Sequence, residues 1–153
     1  MKAISANRSV DEVRNQIGEF HPETVVMIDP EAAETLRKEF GAIVKSGPDE
    51  LNTIATESDI IVAAMVGFAG LRPTVEAIRA GKRVAIANKE TLVVAGELMT
   101  ALAKQSGAEI VPIDSEHSAI AQCLVGETSE SIKRIILTAS GGPFRTRARE
   151  TTI

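Results

Sequence analysis

The sequence predicts an α/β protein built on an open, mostly parallel, doubly wound sheet with helices on both faces. Three observations carry this expectation. Short apolar runs alternate at least four times with stretches of helical periodicity, and the connections between them are brief. The strand-like runs are apolar throughout, as strands covered on both faces are. Aromatic residues are scarce, with four Phe, no Trp and no Tyr, so the core must be built from Val, Ile, Leu and Ala. No repeat of roughly 20–50 residues is visible.

Residues 3–5 read as the end of a strand. Ser9-Val10-Asp11-Glu12 has the form of a capping box, and Val10, Val13, Ile17 and Phe20 follow at helical spacing. Residues 24–28 form a buried strand rich in β-branched side chains. Asp29-Pro30 then supplies an N-cap and a proline at the first helical position; Ala33, Leu36 and Phe40 turn inward, and Gly41 ends the helix. A short strand over 42–45, a turn at Ser46-Gly47-Pro48 and a helix over 49–57 come next. Residues 60–65 are the expected central strand, followed by a loop at Gly67-Phe68-Ala69-Gly70. Pro73 opens a helix closed by Gly81, residues 83–87 are a second buried strand, and a helix over 91–106 stops at Gly107. Residues 108–111 make another strand, followed by a helix to about Leu124, a polar turn over 126–131 and a strand over 133–137. Cys123 lies in an apolar helical run with Ile120 and Leu124, which predicts a packed thiol.

A length of 153 residues fits one domain, or one domain and part of another. The net charge of −4, from 17 basic and 21 acidic residues, argues against general nucleic-acid affinity. Arg145, Arg147 and Arg149 read as a solvated tail. One cysteine excludes an internal disulfide and a multi-cysteine zinc site. No signal peptide opens the chain and no apolar run is long enough to span a bilayer, so the expected setting is a reducing cytoplasm without membrane contact.

Doubly wound sheets bind ligands beyond the carboxyl ends of their strands. That rule selects five loops: residues 6–9, 67–70, 88–90, 114–116 and 140–142. The central stretch is Val111-Pro112-Ile113-Asp114-Ser115-Glu116-His117. If the strand continues, its alternation turns Asp114 and Glu116 to one side; if a helix starts at Ser115, they crowd its first turn. Two like charges so placed favour a divalent cation held by oxygen ligands, or else they cap the helix that follows. Arg8, beyond the first strand, suits the 2′-phosphate of NADP or a surface position flanking a helix. Lys89, between Asn88 and Glu90, opposes the dipole of the helix it would begin, which marks it as a ligand contact as readily as a plain surface lysine. Ser140-Gly141-Gly142 offers a hydroxyl and free backbone N–H groups for a phosphate, or a simple turn. Of the two histidines, His21 sits in a polar loop, and His117 is expected to point away from the carboxylates.

Taken together, Ala87-Asn88-Lys89-Glu90, Pro112-Ile113-Asp114-Ser115-Glu116-His117 and Leu137-Thr138-Ala139-Ser140-Gly141-Gly142-Pro143-Phe144 resemble 1-deoxy-D-xylulose 5-phosphate reductoisomerases. The resemblance extends over nearly the whole chain. It implies a Rossmann-like NADPH-binding domain over residues 1–107 and the beginning of an α+β catalytic and dimerisation domain over 108–153. Asp114 and Glu116 would be ligands to Mg²⁺ or Mn²⁺. Lys89, Ser115, Glu116 and Ser140 would contact a phosphorylated sugar, with Lys89 and Glu116 acting in catalysis. Asn7, Arg8, Ser9, Asn88 and Glu90 would line the NADPH site. The implied reaction is a carbon-skeleton rearrangement followed by reduction with NADPH, in a homodimer, within non-mevalonate isoprenoid biosynthesis.

The sequence departs from the resemblance in two respects. A dinucleotide fold opens with a strand and a G-x-G-x-x-G turn, which nothing before Ala3 supplies and Gly67-x-x-Gly70 does not match. The first βα unit is therefore expected to be missing, as is the family's sequence beyond Phe144, and these 153 residues alone are expected to be inactive. Two other readings remain at this point. One is a metal-free NADP-dependent oxidoreductase, which would survive chelation. The other is a non-catalytic nucleotide-binding or dimerisation module, indifferent to Asp114→Asn and Glu116→Gln.

Overall fold

A computed structural model of the chain describes residues 1–136. The chain divides into two compact units, Met1–Val111 and Pro112–Ile153. Strands and helices alternate as an α/β fold requires, but the expected single sheet is two three-stranded sheets.

In the first sheet β1 (Ala3–Ala6), β2 (Thr24–Met27) and β3 (Val44–Ser46) run parallel in that order. Successive side chains of β2 point to opposite faces, and each face has its own cover. Val25 and Met27 pack with Val13 and Ile17 of α1 (Val10–Phe20) and with Ala33 and Leu36 of α2 (Pro30–Phe40). Val26 faces the other way, onto Leu51 and Ile54 of α3 (Pro48–Glu57). A strand covered on both faces has no use for alternating polarity, which is why β2 reads as a continuous apolar run.

Helix α2 begins as its sequence demands. Asp29 Oδ1 accepts the N–H groups of Glu31 and Ala32, each at 3.0 Å, Pro30 occupies the first turn, and Gly41 closes the helix at φ +69°. The capping box expected at α1 does not form. Ser9 sits at φ −72°, ψ 70°, outside the extended conformation that aims a hydroxyl back at the helix, and it makes no side-chain cap.

In the second sheet β4 (Ile60–Ala63) pairs in parallel with β5 (Arg83–Ile86), and β6 (Glu109–Pro112) follows β5. Val84 and Ile86 pack on Ala77 and Ile78 of α4 (Leu71–Arg79) and Met99 of α5 (Lys89–Ser106), joined by Ile61 and Ala63. The opposite face of β4 is open: Ile60 is 55 % exposed and Val62 65 %. The expected central strand is thus an edge strand among the described residues. Gly70, ahead of α4, allows a close approach, since a Cβ there would lie 3.2 Å from that of Met65.

The second unit contains α6 (Ser115–Cys123) and a 3-10 turn at Ser129–Ser131, and none of its described residues is buried. Residues 133–136 form no strand, and Leu137 lies outside the described residues. Cys123, expected to be packed, is exposed, and none of the described residues of this unit forms a buried cluster that could receive it.

Candidate functional site

Three of the five loops selected from the sequence carry polar groups that the structure places in detail. Asn7, Arg8 and Ser9 follow β1, and all three are exposed. Backbone bonds fix this exit: Ile28 N–H donates to the Ala6 carbonyl at 3.0 Å and Asp29 N–H to the Asn7 carbonyl at 3.2 Å. Arg8 Nε donates to Asp29 Oδ2 at 3.0 Å, while its side chain stays 78 % exposed. One carboxylate therefore caps α2 with one oxygen and holds Arg8 with the other. The N–H of Ala32 is the largest influence holding that carboxyl below its ordinary pKa, and the Arg8 charge acts in the same direction against partial desolvation. Exposed amide, guanidinium and hydroxyl groups at this strand end form a donor set that fits a phosphorylated dinucleotide.

After β5, Asn88 is buried and its amide is fully engaged. Nδ2 donates to the carbonyls of Met65 and of Gly67 (2.9 Å for the latter), and Oδ1 accepts the Thr91 N–H at 3.3 Å. Asn88 is thus a clamp that ties the exit of β4 to the first turn of α5. Lys89 and Glu90, exposed in that turn, are set in place by it. Thr91 Oγ1 is buried with no hydrogen-bond partner among the described residues.

In the second unit the helical alternative holds: α6 starts at Ser115 with Asp114 as its N-cap. Asp114 Oδ1 accepts the His117 N–H at 3.0 Å, and His117 Nδ1 lies 2.8 and 2.9 Å from the two carboxylate oxygens. His117 was expected to point away; instead it folds back on Asp114, because a residue three beyond the cap lies above it on the first turn. The Asp-x-x-His spacing carried that signal. The His117 N–H is the main influence holding the Asp114 carboxyl below its usual pKa. Glu116 is half-buried on the same turn and accepts the Ser115 hydroxyl at 2.8 Å.

Asp114 and Glu116 fit a hard divalent cation as a partial shell. Asp114 is ionised at neutral pH, and both are oxygen ligands placed where a helix N-terminus tolerates negative charge. No group of three His, Cys, Asp or Glu side chains suited to a metal occurs among the described residues, so substrate oxygens and water would fill the other positions. Ser140, Gly141 and Gly142 lie outside the described residues.

Comparison with known proteins gives this geometry a context. The chain matches the family profile of 1-deoxy-D-xylulose 5-phosphate reductoisomerase over residues 1–96, and that of the same family's C-terminal domain over residues 110–152. It is 49 % identical over 161 residues to the reductoisomerase of Nitrosococcus oceani, covering 97 % of this chain and 41 % of that protein. With the Geobacillus sp. protein of the same name it shares 50 % identity over 154 residues, covering 98 % and 40 %. Among solved structures, the reductoisomerase from Zymomonas mobilis in complex with NADPH superposes with a TM-score of 0.86 at 41 % identity, covering 96 % of this chain and 40 % of that one. A DOX-P reductoisomerase in complex with NADPH, fosmidomycin and magnesium gives 0.83 at 39 %, covering 97 % and 40 %. The chain spans about two fifths of the length of these relatives. Both units carry matched sequence and the fold superposes along nearly the whole chain, so the chain belongs to the 1-deoxy-D-xylulose 5-phosphate reductoisomerase family.

Proposed function

We propose that this chain is part of a cytoplasmic, homodimeric enzyme that converts 1-deoxy-D-xylulose 5-phosphate to 2-C-methyl-D-erythritol 4-phosphate in non-mevalonate isoprenoid biosynthesis. The enzyme would depend on NADPH and on Mg²⁺ or Mn²⁺. The observation that carries the proposal is the Asp114-Ser115-Glu116 turn. It presents an ionised carboxylate, pinned by His117, and a second carboxylate that accepts a hydrogen bond from the hydroxyl of Ser115 between them, in a chain of this family. Residues 1–107 would serve the cofactor and residues 108–153 would open the catalytic part. Solved relatives that bind NADPH and magnesium support both assignments.

In this reading Asp114 and Glu116 hold the cation, and His117 fixes the Asp114 carboxylate in one orientation. When bound, the cation would offset negative charge on neighbouring substrate oxygens, and NADPH would supply the hydride. Ser115, Lys89 and Ser140 contact the sugar phosphate: the hydroxyls by hydrogen bonds, the lysine through its charge. Arg8 receives the 2′-phosphate of the cofactor, while Asn7, Ser9, Asn88 and Glu90 shape its site. The capping bond made by Asp114 favours a second reading, in which this carboxylate serves folding alone.

Asp114→Asn separates the two readings, because asparagine caps a helix as well as aspartate but is a poor ligand for a hard cation. In the protein that carries this chain, Asp114→Asn and Glu116→Gln are expected to lower metal affinity and sugar-phosphate-driven NADPH oxidation by at least ~100-fold with unchanged melting. Undiminished turnover in both variants would leave Asp114 as a cap and nothing more.

A further inference from the structure

Arg8 leaves the carboxyl end of β1 as a long, exposed side chain, yet it is anchored at one point. Its Nε donates to Asp29 Oδ2 at 3.0 Å, and its side chain makes no other polar bond among the described residues. The anchor differs from an ordinary surface ion pair, because Asp29 is itself fixed. Its N–H donates to the Asn7 carbonyl at 3.2 Å, and its Oδ1 takes the N–H groups of Glu31 and Ala32, each at 3.0 Å. The Asp29 side chain is 21 % exposed, the lowest value for a carboxylate paired with Lys or Arg among the described residues; Glu39, the partner of Arg14, is 39 % exposed. Surface pairs are weak partly because two mobile side chains must be ordered at once. Here only Arg8 has to be. The Asp29 carboxyl is held below its ordinary pKa and is ionised at neutral pH.

A guanidinium is a planar fork of five N–H donors. With Nε committed to Asp29, the two Nη groups are the edge left for a second anion, and such an edge matches two oxygens of one phosphate. Charge alone discriminates poorly between nicotinamide dinucleotides, since all of them carry a pyrophosphate. A fork held in one orientation can select for a phosphate at one position.

We propose that Asp29 is a specificity-determining positioning residue: by gripping Nε it presents the Nη edge of Arg8 to the 2′-phosphate, and so sets the preference for NADPH over NADH. The inference rests on the assignment of Arg8 to that phosphate. Asp29 touches no atom of the cofactor and acts through Arg8. Its own charge works the other way, repelling a phosphate dianion, but salt screens separated exposed charges far more than a partly buried contact pair.

The test is calorimetric titration of the protein that carries this chain with NADPH, NADH and adenosine 2′-monophosphate. Asp29→Asn leaves one side-chain oxygen where there were two. The helix cap takes it, and the amide nitrogen then meets Arg8 Nε donor to donor. NADPH and adenosine 2′-monophosphate should bind about fivefold more weakly, with the preference for NADPH over NADH reduced to the same extent. Arg8→Ala should abolish the preference, and Asp29→Asn added to Arg8→Ala should remove nothing more. Glu34→Gln, which breaks an exposed pair with Arg37 on the same helix, is the control that leaves the preference in place. Should Asp29→Asn fail to fold by circular dichroism, Asp29→Ser, which also caps with a single oxygen, replaces it. Equal weakening of NADPH and NADH would make Asp29 a structural cap, and unchanged or tighter NADPH binding would leave its charge idle or repulsive; either result overturns the proposal. A loss on Asp29→Asn that persists in the Arg8→Ala background would overturn it as well, while sparing the role of Arg8. A preference untouched by Arg8→Ala would remove the 2′-phosphate assignment itself, and the proposal with it.

Discussion

Asp29 shows how much a single side chain can organise. Its two oxygens serve the start of α2 and Arg8, and its carboxyl is held below the ordinary value, first by the Ala32 N–H and further by Arg8. A carboxyl whose folded pKa is depressed contributes stability in full above its unfolded pKa of about 3.9, and that contribution is lost as pH falls through the lower folded value. Asp29→Asn keeps the cap but cannot titrate. Its stability should therefore fall less steeply than the parent's below about pH 4, as acid titrations followed by circular dichroism would show; identical acid limbs would mean the charge is idle. Thr91 makes the opposite case. Its hydroxyl is buried without a partner among the described residues, and Thr and Val have similar helix propensities, so Thr91→Val should raise stability by about 1 kcal/mol in urea unfolding. Sequence reading singled out Asp29 because its role is local. It missed the Asp114–His117 pair by expecting His117 to point away from the carboxylates, although a residue three beyond a cap lies above it on the first turn.

Among the elements, α2 was legible in full and β4 only in part, for a physical reason. Everything that starts and stops α2 lies within a few residues of its ends: Asp29, Pro30 and Gly41. The apolar positions between them face one way, and Leu36 is completely buried in the cluster under the first sheet. Leu36→Ala should accordingly cost about 2–5 kcal/mol in chemical denaturation. Val93→Ala, at an exposed position of α5, should stay within about 0.5 kcal/mol of the parent, and equal effects at the two sites would contradict this placement of the core. For β4 the run Ile-Ile-Val-Ala correctly announced a strand. Whether such a strand is central depends on what lies beside it, and no local pattern encodes a neighbour distant in sequence. The same limit explains Cys123, whose helical context was read correctly and whose burial was not. The capping box at α1 failed on backbone geometry, because its Ser-x-x-Glu wording cannot specify the ψ angle on which the hydroxyl's aim depends.

At the scale of the whole molecule, stability is concentrated in one part of the chain. Three buried clusters lie within Met1–Val111, and none of the described residues from 112 to 136 is buried. Burial of apolar side chains is the main favourable term in folding, so segments without it open at low free-energy cost. The candidate metal turn sits in the unit none of whose described residues is buried. Its order rests on local bonds: the cap from Asp114, the His117 contact and the Ser115–Glu116 hydrogen bond. Net contributions from such bonds run to about 0.5–1.5 kcal/mol each. Native-state hydrogen exchange on the chain should therefore show a steep gradient, with amides of β2, β5 and α4 protected to near the global unfolding free energy and those of α6 exchanging through local opening. A divalent cation held by Asp114 and Glu116 would bind the ordered turn and not the open one, so added Mg²⁺ or Mn²⁺ should slow exchange in α6 selectively, in proportion to site occupancy. Asp114→Asn would then remove the metal response while preserving the metal-free protection, since the asparagine still caps the helix. Protection of α6 equal to that of β5 without metal would refute the local-opening account, whereas a metal response surviving in Asp114→Asn would move the cation to other ligands.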